Sequence, residues 1–127
     1  MIIGKDIVLK DLLGRPIVSG EDELKLDVAC RVALERCGVD VNSGRPADFK
    51  TQKARQEAAR RIVKGENLTD EEAAEVRNCV AFFYASPVIT GAVADQLSRL
   101  QREADEAEKA RREAAAASDA PENPAEE

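Results

Sequence analysis

From residue 68 to residue 100 the apolar positions recur at steps of three and four, the period of a helix with one face in a core. Ala73, Val76, Val80 and Phe83 make one stripe; Ile89, Val93, Leu97 and Leu100 make a second. Ser86-Pro87 lies between them. A proline ring clashes inside a helix but suits the first turn of a new one. The pattern therefore predicts a helix, a sharp corner with Ser86 as the new cap, and a second helix. The first helix has a marked start. Thr69 is followed three residues later by Glu72, the capping-box spacing in which each side chain takes up a free backbone N–H of the other residue. Asp70 and Glu71 add negative charge at the positive end of the helix dipole. The two helices make a hairpin on which the remaining elements are expected to pack.

Upstream the period changes. Ile2-Ile3 and Ile7-Val8-Leu9 favour extended backbone, Gly14-Arg15-Pro16 marks a turn, and Ile17-Val18 returns as a second short strand. The expectation is a small N-terminal β-hairpin, followed by a loop at Ser19-Gly20-Glu21-Asp22. A lone hairpin is marginal in water, so it must lie on the helices or pair with another chain. A helix follows by about Asp27, with Leu24, Val28 and Val32 at i, i+4, i+8, Ala29 and Ala33 beside them, and Gly38 as its C-terminal cap. Pro46 then opens a helix that runs to Lys64 and ends at Gly65. Its apolar side is thin (Phe49, Ala58, Ala59, Ile62 and Val63), which puts it on the domain surface with one edge buried.

Beyond Leu100 the large apolar residues cease, and strong helix formers follow, with Asp105 four residues before Lys109 and Glu108 four before Arg112. The stripe continues as Ala104, Ala107, Arg111 and Ala114, formally a heptad. Alanine and arginine stand where a seam needs leucine, so a solvated helical extension is expected rather than a coiled coil. Residues 118–127 have the composition of a disordered acidic tail. The fold class is mainly α: a small helical bundle with a short N-terminal β-hairpin over residues 1–100, then a long charged C-terminal helix and its tail over residues 101–127.

Composition refines this. Charged residues make up 35% of the 127 and aromatics 3%, so the core is small and mostly aliphatic. The net charge of -6 sits almost entirely in residues 101–127, with nine acids against four bases. Residues 46–64 go the other way, with six bases against Asp48 and Glu57. No run approaches the roughly 20 apolar residues that span a bilayer, and the N-terminus lacks the order of a signal peptide, so a cytoplasmic protein with no membrane partner is expected. Cys30, Cys37 and Cys79 are odd in number and lack CxxC spacing. They are expected as small buried hydrophobes in a reducing compartment, without a metal. The absence of histidine removes the commonest general base and transition-metal ligand.

Catalytic patterns are missing: no nucleophile–base pair, no glycine-rich loop after a strand, no HExxH or GxSxG. The expectation is a protein that is not an enzyme and holds no cofactor. Asp70, Glu71, Glu72 and Glu75 cluster, but a helix N-terminus explains them, and calcium would need oxygen ligands at loop spacing. The basic helix supplies candidate polyanion-binding residues, Lys50, Lys53, Arg60, Arg61 and Lys64. Against nucleic acid stand the near-neutral charge of residues 1–100 and the lack of interleaved aromatics for stacking. The acidic residues 101–127 are a rival cover for the basic helix, by folding back over it. The candidate partner-binding residues are Phe82, Tyr84 and Val88, near the Pro87 corner, where the stripe is wider than one helix needs. A core with so few large side chains is marginal, and burying apolar surface against a second subunit would stabilise it.

Residues 8–17 (strand–turn–strand), 26–34 (short helix), 53–62 (a basic segment ending in Arg61-Ile62), the Leu68-Thr69-Asp70-Glu71-Glu72 helix start and the stretch from Tyr84 through Ser86-Pro87-Val88-Ile89 to Gly91 follow one another in a set order. In that order and patterning the chain resembles a type of small accessory protein of tailed bacteriophages and prophages. The resemblance covers about residues 7–100; the Ala/Glu/Arg extension departs from it. Proteins of this type have no settled activity, so no catalytic residue carries over. The resemblance implies a non-catalytic accessory protein that binds proteins and associates with itself, in virion (capsid or tail) assembly, in the cytoplasm of the bacterial host or on the virion. The expected partners are a second copy, as a homo-oligomer, and a phage or host protein. The alternatives are a nucleic-acid-binding accessory factor using helix 46–64 and an early host-takeover or anti-defence protein.

Overall fold

The computed structural model describes residues 1–119; of the tail expected over residues 118–127, residues 118 and 119 belong to the last helix and the rest lies outside the described residues. Four helices carry most of the chain: α1 (Leu26–Arg36), α2 (Phe49–Lys64), α3 (Asp70–Tyr84) and α4 (Pro87–Asp119). A two-stranded antiparallel hairpin, β1 (Val18–Ser19) and β2 (Asp22–Glu23), precedes them. The fold is mainly α with a short N-terminal hairpin, as the hydrophobic pattern implies. No helix among the described residues is long and apolar enough to cross a membrane.

The α3–α4 hairpin forms as its sequence dictates. Thr69 Oγ1 accepts from the Glu72 N–H at 3.1 Å, and Glu72 Oε1 accepts from the Thr69 N–H at 2.8 Å. Ala85, in the left-handed region at φ 49, ends α3. Ser86 Oγ accepts from the Ile89 N–H, and Pro87 opens α4. The hairpin buries Ala73, Val76, Cys79 and Val80 on one side and Val93 and Leu97 on the other.

α1 occupies the centre, packed against α2, α3 and α4. Its buried face is Leu26, Ala29, Cys30, Ala33 and Leu34. That face is rotated from the expected one, leaving Val28 and Val32 half-buried. The helix starts at Leu26, so the phase set by Leu24, still in extended chain, does not carry into it. Nor is Gly38 its cap. The cap is Cys37, extended at φ -84, and Gly38 is not among the glycines in the left-handed region.

The β-hairpin is displaced from its expected position. The regular ladder pairs Val18 with Glu23 and Ser19 with Asp22, in the stretch read as a loop. The turn at Gly14 (φ 80) exists, but its arms share just the bridge between Lys10 and Pro16. Three extended arms instead close on one another: Leu9 N–H to Leu24 O (2.9 Å), Leu24 N–H to Ile17 O (2.7 Å), Ile17 N–H to Leu9 O (2.9 Å). Leu9 and Leu24 are buried inside this ring. Leu24, read as part of the helix stripe, supplies the third arm with Lys25, and burying the Leu24 side chain decides the pairing.

α2 begins at Phe49, with Asp48 as its cap accepting from the Thr51 N–H at 2.8 Å. Pro46 does not open it; that residue bridges to Val39. Gly65, at φ 71, closes it as expected, donating its N–H back to the last turn. Ala58, Ala59 and Ile62 are buried as expected, but Phe49 is 81% exposed and Val63 is also exposed. The buried face steps through 55, 58, 59 and 62, so the residue completing it is Arg55.

α4 runs on past Leu100 without a break, and side chains from Asp105 to Ala117 are exposed. Glu108 pairs with Arg112 at 2.6 Å, whereas Asp105 accepts from Gln101 rather than from Lys109. Among the described residues no contact joins α4 to α2, so residues 101–119 do not fold back over the basic helix. A continuous helix pointing away from the body cannot reverse onto it.

Candidate functional site

The corner between α3 and α4 is an exposed apolar region. Phe82 is 46% exposed, Phe83 37% and Val88 38%, and Ala81, Ala85, Pro87 and Gly91 around them are exposed too. Of the three residues expected there, Phe82 and Val88 face solvent. Tyr84 does not belong with them. It is half-buried, its hydroxyl donates to the Ala29 carbonyl of α1 at 3.4 Å, and burial pushes its pKa up. Its ring meets that of Phe83 edge to face, with centroids 5.0 Å apart. Phe83, read as the end of the buried stripe, takes the exposed place instead. From Val76 and Val80 a step of four leads to Tyr84, while a step of three leads to Phe83; the structure follows the step of four.

The five candidate basic residues of α2 are all exposed but differ in their engagements. Arg61 is tied to Glu72 at 3.2 Å, bracing α2 against the start of α3. Arg60 pairs with Glu57 on its own helix at 2.6 Å. Lys50, Lys53 and Lys64 have no ion pair among the described residues, and lie with Arg60 along one solvent-facing stripe at helical spacing.

The sixth base, Arg55, is the residue that sequence reasoning missed. It is 3% exposed. Its Nη1 donates to the Cys37 carbonyl at 2.6 Å and the Val39 carbonyl at 2.7 Å, and its Nε donates to the Glu75 carboxylate of α3. Burial works against its charge, but the hydrogen bond and attraction of Glu75 outweigh this and hold its pKa above the ordinary value. Arg55 thus closes the end of α1 that lacks a glycine cap and joins three helices. Its spacing from Ala58, Ala59 and Ile62 was the available signal, hidden by its charge.

The same knot gathers sulfur. Cys37 Sγ lies 3.6 Å from Arg55 Nη1 and donates weakly to the Val39 carbonyl at 4.0 Å. All three cysteines are free and buried, and burial pushes the thiols of Cys30 and Cys79 up to about 12. Cys37 also lines an open groove of about 700 Å³ between α1 and α2, with Leu34, Phe49, Gln52 and Lys53 among its walls. No set of three or more potential metal ligands comes together among the described residues.

A second apolar feature is the turn carrying Leu12, 92% exposed, and Leu13. Asp11 Oδ1 accepts from the Leu13 and Arg15 N–H groups, both at 2.9 Å, and those bonds hold its carboxyl below the ordinary value. No protein-family model, curated protein or solved structure matches the chain.

Proposed function

We propose that this protein has no chemistry of its own and works by binding proteins, itself included, as an accessory protein of the tailed-phage type. The observation that supports this reading is the exposed apolar corner of Phe82, Phe83 and Val88. The chain has just four aromatic residues, and two of them are spent on solvent at one bend. Contiguous exposed apolar surface of this kind marks interaction sites, and buried aromatic anchors dominate interface energies. Tyr84 fastens the bend to α1, so little ordering is left to be done on binding. The resemblance supplies the setting: capsid or tail assembly, in the host cytoplasm or on the virion. An early host-takeover or anti-defence role would use the same corner on a host protein.

Light scattering over a range of concentrations tests the self-association. The full chain is expected to exceed monomer mass, and the double variant Phe82→Ser, Phe83→Ser to return to monomer with unchanged helix content. A parent chain that stays monomeric throughout removes self-association. A variant of unchanged mass moves the interface away from the corner.

The lysine stripe supports a second reading, binding of nucleic acid through Lys50, Lys53 and Lys64 with Arg60. Each phosphate neutralised adds about 0.9 to the slope of log affinity against log salt for duplex DNA. Replacing the three lysines by glutamine is then expected to flatten that slope by two to three. A binding constant indifferent to salt disposes of this reading.

A further inference from the structure

We propose that the self-associated form is a two-fold dimer in which the turn carrying Leu12 and Leu13 of one copy lies on the corner of Phe82, Phe83 and Val88 of the other, and the reverse. The inference rests on the reading of the corner as a self-association surface and names what meets it.

The turn is a rigid knob. Asp11 Oδ1 accepts from the Leu13 and Arg15 N–H groups, the Gly14 N–H donates to the Asp11 carbonyl at 3.0 Å, and the Asp11 N–H donates to the Arg15 carbonyl at 2.8 Å. Gly14 takes the left-handed conformation. Neither leucine side chain is needed for any of this, yet they stand 92% and 74% exposed. Polar residues would serve the turn as well. Asp11 and Arg15 also pair with each other at 3.4 Å, so the knob brings these flanking charges already matched.

Knob and corner are at the same end of the molecule. The turn springs from the ring of extended arms, which is fastened to the first turn of α1, where the Leu26 N–H donates to the Ile7 carbonyl at 2.8 Å. The corner is fastened to that same turn, by Tyr84 on the Ala29 carbonyl. The opposite end of α1 is where Cys37 and Glu75 share Arg55. Two patches at one end are satisfied by a single two-fold axis, knob on corner and corner on knob, and the assembly closes at two copies. The corner is also free of charge: from Asn78 to Ala94 there is no acid or base to be buried unpaired.

Area decides between this arrangement and corner on corner. Phe82 and Phe83 are 46% and 37% exposed, and an aromatic side chain carries about 150–250 Å², so with Val88 the corner offers on the order of 200 Å². Leu12 and Leu13, nearly bare, offer about as much again. A stable interface buries about 800 Å² per partner, a little over half of it apolar. The corner alone falls well short of that apolar share; corner and knob together approach it.

The full-length chain is compared by light scattering with the double variant Leu12→Ser, Leu13→Ser. The parent is expected at twice monomer mass. The variant is expected at monomer mass with unchanged helix content, its dimer dissociation constant raised by at least about 100-fold. The contact is then mapped with a Leu12→Cys chain and a Val88→Cys chain, separately and mixed, under mild oxidation; the native cysteines are buried. The mixture is expected to give a link between position 12 of one copy and position 88 of the other, and the Val88→Cys chain alone to give none. A knob variant that keeps the parent's mass, or a link from 88 to 88, overturns the proposal and leaves the reading of the corner standing. A parent that stays monomeric removes both. A mass that climbs past two copies with concentration shows an open chain and overturns the closed pair.

Discussion

α2 and the outer part of α4, residues 101–119, are made of nearly the same material. Both are rich in alanine and charge, though α2 also has three larger apolar residues, Phe49, Ile62 and Val63, where residues 101–119 have none. One is nevertheless part of the body and the other a solvated rod. α2 has Asp48 at its start, Gly65 at its end, and Ala58, Ala59, Ile62 and Arg55 in the core. The outer part of α4 exposes every side chain from Asp105 to Ala117 and is held by pairs along its own surface, Glu108 with Arg112 among them. Helix propensity does not separate them. What separates them is that α2 offers a face of small residues to α1, and that one of its charges finds two carbonyls and a carboxylate waiting inside. A helix in the first situation is fixed by tertiary packing; one in the second rests on propensity and weak i,i+4 pairs.

The largest test of this contrast sets Arg55 against Arg112. Arg55→Ala leaves the Cys37 and Val39 carbonyls and Glu75 without their buried donor, and is expected to cost about 3 kcal/mol. Arg112→Ala removes one exposed pair and is expected to cost less than about 0.5 kcal/mol. Urea denaturation of the two variants measures both. Equal losses would mean that Arg55 is no more a part of the core than its exposed counterpart.

The ends of the helices give a smaller effect. Gly65 is in the left-handed region, so Gly65→Ala is expected to cost about 1–2 kcal/mol. Gly38 is not, and an added methyl there meets nothing within 4 Å, so Gly38→Ala is expected to cost nothing. In the outer part of α4, Ala107→Gly is expected to weaken the local helix by about 1 kcal/mol while leaving the global midpoint unchanged. Amide exchange should quicken around residue 107 and stay slow around Leu97. A fall in the global midpoint would show that the rod is coupled to the body after all.

The contrast also explains which parts of the fold were legible in the sequence. The α3–α4 hairpin could be read because its signals are local: a capping box at Thr69 and Glu72, a proline at 87, and apolar steps of three and four. The extension could be read because nothing but local terms acts on it. The errors fall where distant groups decide. Val28 and Val32 lost the core face of α1 to Cys30 and Leu34 because the helix starts later than Leu24. The strands shifted because three arms share their hydrogen bonds around Leu9, which pairwise hairpin reasoning does not anticipate. Arg55 looked like one more surface base, since the acceptors that bury it lie on other elements. At the corner, Phe82 and Val88 were identified from the width of the stripe, while Phe83 and Tyr84 exchanged roles on a single choice of step.

The smallest expected effect is also the one that isolates a single local term in α2. Asp48 caps the helix, and its hydrogen bonds with Thr51 hold its carboxyl below the ordinary value of 3.8, against a slight opposing effect of burial. A carboxyl whose folded pKa is depressed adds its stability in full above the unfolded value and loses it as pH falls through the lower, folded one. In Asp48→Asn the asparagine still accepts the Thr51 N–H but cannot titrate, so it keeps the cap and removes the pH dependence. The parent is expected to melt slightly above this variant at pH 5, with the margin closing as pH is taken down past 3.8. Deleting residues 101–127 should leave that margin unchanged, because it belongs to the capped end of α2. A margin that stayed constant into strong acid would show that the carboxylate charge adds nothing at this cap, and that geometry alone holds the first turn.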